Sequence, residues 1–260
     1  MTRTETTTTT TTRPVGSPTW IDLSTNDIDG AKAFYAALFG WSFEDQGEDF
    51  GHYHYIRRGE DVVGGLMSTV GMTCPEGGDL PNEWGVYLTV TDVEATLATA
   101  ESAGGRVIVP AMPVGTSGTM AVVLDPAGAA IGMWQPGDFV GCDHFMTAGT
   151  PAWFEAMSQD YAAALPFYRE VFAWQVEEMP GEWSYATNGP EATATAGLCD
   201  ARGVVAEGTP SYWRVYLGTA DLDADLARIP ELGGTVLDGP EDSPTAGSPR
   251  WPTRRVRPSS

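Results

Sequence analysis

The chain has 260 residues, 42% of them hydrophobic and 19% charged. That is an ordinary globular balance, with length enough for two small domains that each bury a core. The formal net charge is −21, and so acidic a surface repels phosphate backbones and anionic headgroups, which argues against nucleic-acid and membrane partners. No apolar run approaches the ~20 residues that span a bilayer, and no apolar signal segment opens the sequence. Cys74, Cys142 and Cys199 form neither a CxxC pair nor an even set, so neither a disulfide framework nor a zinc knuckle is indicated. A cytoplasmic protein is expected.

Residues 1–16 begin with a nearly pure threonine run, too polar to pack, and are expected to be disordered. Residues 20–25 read as a strand. Asn26 or Asp27 can cap the helix that follows, because a short side-chain oxygen accepts a free backbone N–H. Ala31, Phe34, Tyr35, Leu38 and Phe39 then fall on one helical face, and Gly40 stops the helix. Strands are expected at 41–43, 53–56 and 62–67. The pattern restarts with a strand at 84–90, an Asp92-capped helix carrying Val93, Leu97 and Ala100, and strands at 107–109, 120–124 and 130–134. Asp125-Pro126-Ala127-Gly128 is a tight turn between the last two.

The chain then repeats itself. Trp20 and Asp27 are answered by Trp153 and Asp160, Phe34-Tyr35 by Phe167-Tyr168, and Phe39-Gly40-Trp41 by Phe172-Ala173-Trp174. Further on, Trp84-Gly85-Val86-Tyr87-Leu88 is answered by Trp213-Arg214-Val215-Tyr216-Leu217. The expected organisation is a first unit at 17–138, a linker at 139–150 and a second unit at 151–244. Each unit holds two βαβββ modules.

Asp27 leading to Ala33-Phe34-Tyr35, then Phe39-Gly40-Trp41, Val90-Thr91-Asp92-Val93 and Asp125-Pro126-Ala127-Gly128 resemble the signatures of the vicinal-oxygen-chelate superfamily of glyoxalases, bleomycin-resistance proteins and extradiol dioxygenases. The resemblance implies an α+β fold of tandem units, paired modules curling into a concave sheet around a small ligand, and an intramolecular pseudo-dimer of the two units. It also implies where catalytic members hold a metal: seven residues before each helix-capping Asp, and seven after the Asp of the D-P-x-G turn. Here those positions are Trp20, Trp153, Gly85, Arg214 and Gly132, none of which coordinates a divalent ion.

The expectation is therefore a metal-independent small-molecule binding protein with no cofactor. A lyase, dioxygenase or hydroxylase acting on a small aromatic or carbonyl metabolite is the alternative. Trp20, Trp84, Trp153, Trp213, Tyr53 and Tyr55 are the candidate ligand-binding residues, suited to an aromatic ligand. Asp22 and Glu155, equivalent acids on first strands, are the candidate acid–base groups. His52 and His54 alternate along a strand and form the alternative metal pair; a polar strand face is the other reading.

The end of the chain departs from the pattern. Residues 245–260 are rich in Pro and Arg and lack strand alternation where the second unit needs its closing strands. Back-translated with chosen wobble bases and read one base out of frame, this stretch can spell YGRLATVADPAGATFF, which restores the turn motif of the first unit. The last module is thus expected to be truncated, with an aberrant, irregular basic tail produced by a possible frameshift.

Overall fold

A computed structural model describes residues 13–74, 77–181 and 183–237, and the backbone of 256–258. Among these residues, four α-helices accompany two mixed sheets and a two-stranded ribbon. The helices are α1 (Ile28–Phe39), α2 (Val93–Ser102), α3 (Tyr161–Val171) and α4 (Leu222–Glu231). Each starts on an aspartate: Asp27, Asp92, Asp160 and Asp221 accept from the backbone N–H of Gly30, Ala95, Ala163 and Ala224. Each carboxylate satisfies one orphan donor and places negative charge at the positive end of the helix. Gly40 ends α1 in the left-handed region at φ 69°, a conformation costly for residues with a Cβ.

The larger sheet holds β1 (Pro18–Thr25), β2 (Ser42–Asp45), β3 (His54–Arg58), β4 (Asp61–Ser68), β5 (Glu83–Thr89), β6 (Arg106–Val114), β7 (Gly118–Leu124) and β8 (Ala130–Pro136), in the order β2-β3-β4-β1-β5-β8-β7-β6. Its two βαβββ halves meet where β1 and β5 run antiparallel. The smaller sheet holds β9 (Pro151–Ser158), β10 (Glu177–Glu178), β11 (Tyr185–Thr187), β12 (Gly197–Asp200) and β13 (Tyr212–Leu217), in the order β10-β11-β12-β9-β13.

The helix-covered backs of both sheets share one core. Ile21, Leu88, Val123, Ile131 and Met133 pack with Phe154, Phe167, Tyr168, Phe172 and Leu198. A second cluster joins Phe34, Tyr35, Trp41 and Ile56 to Ile229. Helix α1 packs on α4, and α2 on α3. The joints are reciprocal. Trp41 donates its indole N–H to the Gly149 carbonyl, and Trp174 donates its own to Gly16, each at 2.8 Å. Phe167 fills the space over Gly105, where a Cβ would stand 2.8 Å from its ring, and Phe34 covers Gly234 at 2.6 Å. Among the described residues, no helix is long and apolar enough to cross a membrane.

The chain end corrects one expectation. β14 (Gly234–Val236) pairs antiparallel with β15 (Val256–Pro258), so three residues of the basic tail form a strand. The backbone of β14 has its own ladder to complete, and a stretch of extended chain completes it whatever its side chains. In this register Pro258 lies across from Gly234. The rest of the expected tail, 245–255 and 259–260, lies outside the described residues, as do residues 1–12 of the expected disordered segment.

Candidate functional site on the concave sheet face

Alternation along β1 decides what faces the helices and what faces away. Ile21 and Leu23 enter the shared core; Trp20 and Asp22 therefore point to the opposite, concave face. The same reasoning on β5 sends Val86 and Leu88 inward and Gly85 and Tyr87 outward. Around Asp22 the face is aromatic. Tyr87 donates its hydroxyl to Asp22 Oδ2 at 3.1 Å, Tyr53 stands 3.4 Å from the same oxygen, and Trp20 donates its indole N–H to the Tyr53 hydroxyl at 2.8 Å. Phe139, just beyond β8, lies against Trp20 (centroids 5.2 Å), Tyr55 (5.7 Å) and Trp134 (6.2 Å).

Burial dominates the electrostatics of this cluster. Asp22 is 6% exposed, and desolvation pushes its pKa up to about 6 against the opposing pull of the two tyrosine hydrogen bonds. Desolvation, followed by the charge of Asp22, holds Tyr53 and Tyr87 well above the ordinary phenol range. Asp22 is thus a carboxyl group able to exchange a proton near neutrality, wired to two phenols that stay protonated.

The smaller sheet repeats the plan with different chemistry. Trp153 donates to the Tyr185 hydroxyl at 3.1 Å, as Trp20 does to Tyr53. Tyr216 donates to Glu155 Oε2 at 2.5 Å, as Tyr87 does to Asp22. Where β5 has Gly85, β13 has Arg214, whose guanidinium lies 3.8 Å from Glu155 and donates to the hydroxyls of Tyr216 and Tyr212 at 3.1 and 2.8 Å. Register makes Tyr185 the counterpart of Tyr53: Tyr53 covers Gly65 and Tyr185 covers Gly197, while Trp183 is 59% exposed.

Of the residues singled out from sequence, the structure brings together Trp20, Asp22, Tyr53 and Tyr55 on one sheet and Trp153 and Glu155 on the other. Trp84 and Trp213 belong elsewhere. They lie one residue out of phase with the concave face, pack in the core, and donate to the Tyr35 and Tyr168 hydroxyls at 3.1 and 3.0 Å. His52 and His54 do not share a face. His52 sits in the left-handed region at φ 57°, outside β3, and pairs with Asp45 at 2.9 Å, whereas His54 is buried with its Nε2 2.8 Å from Lys32 Nζ. The strand periodicity that would align them is broken between them. Tyr87, Tyr216, Trp134, Phe139 and Arg214 line these faces although sequence reasoning assigned them no ligand role. The phase of Val86 and Leu88 against Tyr87 was the signal available for the first.

The positions that hold a metal in catalytic relatives of this fold do not fit one here. Trp20 offers no lone pair for coordination. A Cβ on Gly85 would stand 2.7 Å from Asp22 Oδ1, and one on Gly132 only 2.2 Å from the Tyr87 ring, so Asp22 and Tyr87 fill the space a ligating side chain would need. Among the described residues, no group of three His, Cys, Asp or Glu side chains is placed to hold an ion.

Comparison with known proteins agrees with the fold. The sequence model of the Glyoxalase/Bleomycin resistance protein/Dioxygenase superfamily matches residues 17–133. A putative glyoxylase, CFP32, of Mycobacterium tuberculosis is 33% identical over 238 residues, covering 89% of this chain and 88% of the relative. The chain belongs to this superfamily. The anthracycline biosynthesis protein DnrV of Streptomyces peucetius is 29% identical over 245 residues, covering 88% and 86% of the two chains. Among solved structures, the 2,3-dioxygenase LapB of Pseudomonas sp. KL28 superposes with a TM-score of 0.58 at 13% identity, over 94% of this chain and 88% of that one. The Mn(II)-bound glyoxalase of Novosphingobium aromaticivorans gives 0.56 at 16% identity, over 87% and 74%. At these identities the two structures attest the shared fold alone.

Proposed function

We propose that the chain is a metal-independent small-molecule binding protein of its superfamily, with the ligand held on the concave face around Trp20, Tyr53, Tyr55, Tyr87 and Asp22. The observation that carries this reading is the filling of the metal-ligand positions: Gly85 and Gly132 are glycines because Asp22 and Tyr87 occupy the space above them. What remains is a wall of rings with a few polar groups, the composition that suits a flat, largely apolar ligand. The description of the Streptomyces relative, anthracycline biosynthesis, favours an aromatic ligand. Phe139 occupies part of this face and is the side chain a ligand would displace. The two units, 17–138 and 151–244, are read as an intramolecular pseudo-dimer joined by the 139–150 linker, a reading supported by the reciprocal Trp41 and Trp174 hydrogen bonds.

The test is metal analysis of purified protein combined with thermal shift. Mn, Fe, Ni and Zn should be absent in stoichiometric amounts and should leave Tm unchanged. Aromatic compounds should raise Tm by mass action and quench tryptophan fluorescence, more readily in Phe139→Ala. One tightly bound transition metal per chain would sink this reading. An enzyme using Asp22 as its proton carrier is the second reading, favoured by the carboxyl held near a pKa of about 6 beside two phenols. In that case Asp22→Asn abolishes turnover but leaves ligand binding.

A further inference from the structure

The two concave faces differ most at one pair of positions. Gly85 on β5 is matched by Arg214 on β13, and the consequence is a difference in charge. Among the described residues Asp22 accepts from hydroxyl groups with no cation beside it, and burial outweighs the pull of those hydrogen bonds and favours the neutral acid. Glu155 has an arginine 3.8 Å away. Arg214 is held in place by hydrogen bonds to Tyr212 and Tyr216, with its guanidinium carbon 5.8 Å from each ring centroid. Its grip on Glu155 is long; its Nε is shut away from solvent, so the groups that can meet a ligand are the two terminal nitrogens, which already donate to the tyrosine hydroxyls. Guanidinium N–H groups are matched to a carboxylate in fork geometry.

Access differs as well. Trp20 is capped by Phe139 and is 7% exposed. Its counterpart Trp153 is partly exposed; the tyrosines of both faces and Arg214 are partly exposed alike, so the difference lies at the tryptophans. In a chain of net charge −21, an anion reaches a binding site only where a local cation overcomes the general repulsion.

We infer that the concave face of the smaller sheet is a second, separate ligand site that takes a small aromatic carboxylate, its carboxylate on Arg214 and its ring among Trp153, Tyr185 and Tyr216. In this arrangement Glu155 competes with the ligand for Arg214, because both are carboxylates facing the same cation. Removing the charge of Glu155 therefore strengthens binding, an effect that a purely structural ion pair does not produce.

The experiment uses the full chain with benzoate as probe and benzamide as its neutral counterpart, read by Trp fluorescence and by saturation-transfer NMR. Benzoate should bind at least about tenfold more tightly than benzamide, a difference of about 1.4 kcal/mol. Glu155→Gln should tighten benzoate binding, Arg214→Gln should abolish it, and Arg214→Lys should weaken it while keeping the charge. Circular dichroism checks that each variant is folded. If Arg214→Gln fails to fold, the opposite responses expected of Glu155→Gln and Arg214→Lys still decide the matter. Equal binding of benzoate and benzamide, no benzoate binding at all, or weaker binding in Glu155→Gln would overturn the proposal. The first site is tested separately at Phe139 and Asp22, so either site can fail alone.

Discussion

Tyr168, on α3, donates its hydroxyl to Asp125 Oδ2 at 2.9 Å, where β7 ends on the other sheet. The same carboxylate accepts from the backbone N–H groups of Ala127 and Ala129, both at 2.9 Å, and the Tyr168 oxygen accepts from Trp213. One buried phenol thus joins a turn of the first half to a helix and a strand of the second. Tyr35 has the matching bond from Trp84, but among the described residues no carboxylate accepts from its hydroxyl.

Removing the two hydroxyls should therefore have unequal effects. Tyr168→Phe leaves both the Trp213 N–H and a buried carboxylate short of a partner, and should cost about 1–3 kcal/mol. Among the described residues Tyr35→Phe strands only the Trp84 N–H, and it should cost less. Urea midpoints of the two variants at pH 7 measure this; equal losses would mean that the Asp125 bond contributes nothing beyond the indole contact.

Asp22 sets a pH dependence of definite sign. Its folded pKa, about 6, lies above the ordinary value of 3.8, so the native state favours the protonated acid. Its contribution is fully present below about pH 4 and is lost as the pH rises through about 6, to an order-of-magnitude limit of about 3 kcal/mol. Asp22→Asn cannot ionise. The variant should gain on the wild type as the pH is raised from 4.5 to 8, with urea unfolding as the measure. A stability difference independent of pH would show that Asp22 does not titrate in this range.

Gly132 should resist even the smallest side chain. A Cβ there would sit 2.2 Å from the Tyr87 ring, so Gly132→Ala must shift Tyr87 and through it the Asp22 hydrogen bond. A loss of about 1–3 kcal/mol is expected from such overpacking, together with altered tryptophan fluorescence. A neutral outcome would show that Tyr87 moves freely and that the space is open to a metal-binding side chain after all.

Much of the fold could be read from the sequence because its signals are local. Asp27, Asp92, Asp160 and Asp221 each cap a helix through a contact three residues away, and Ala31, Phe34, Tyr35 and Leu38 mark the buried stripe of α1 directly. The candidate site was less legible. Trp84 and Tyr87 are both aromatic and lie on the same strand, and nothing in their identities says which pleat face the helices will cover. Val86 and Leu88 settle that only once the core is known. Likewise, the turn at His52 depends on a positive φ in a residue that usually avoids it, and Phe139 reaches the concave face from a segment without periodicity. Arg214 could be read as an empty metal position, but its partners Tyr212, Tyr216 and Glu155 meet only through the pairing of β13 with β9.

The crossed packing of the helices has a consequence for inheritance. Gly105 is small to admit Phe167, and Gly234 to admit Phe34, so each half carries sockets cut to side chains encoded in the other. A recombination event that replaced one half with that of a distant paralogue would mismatch two ring sockets and two indole–carbonyl bonds at once. Selection on such a chain acts on the joined pair, and each half can drift only as far as the other accommodates.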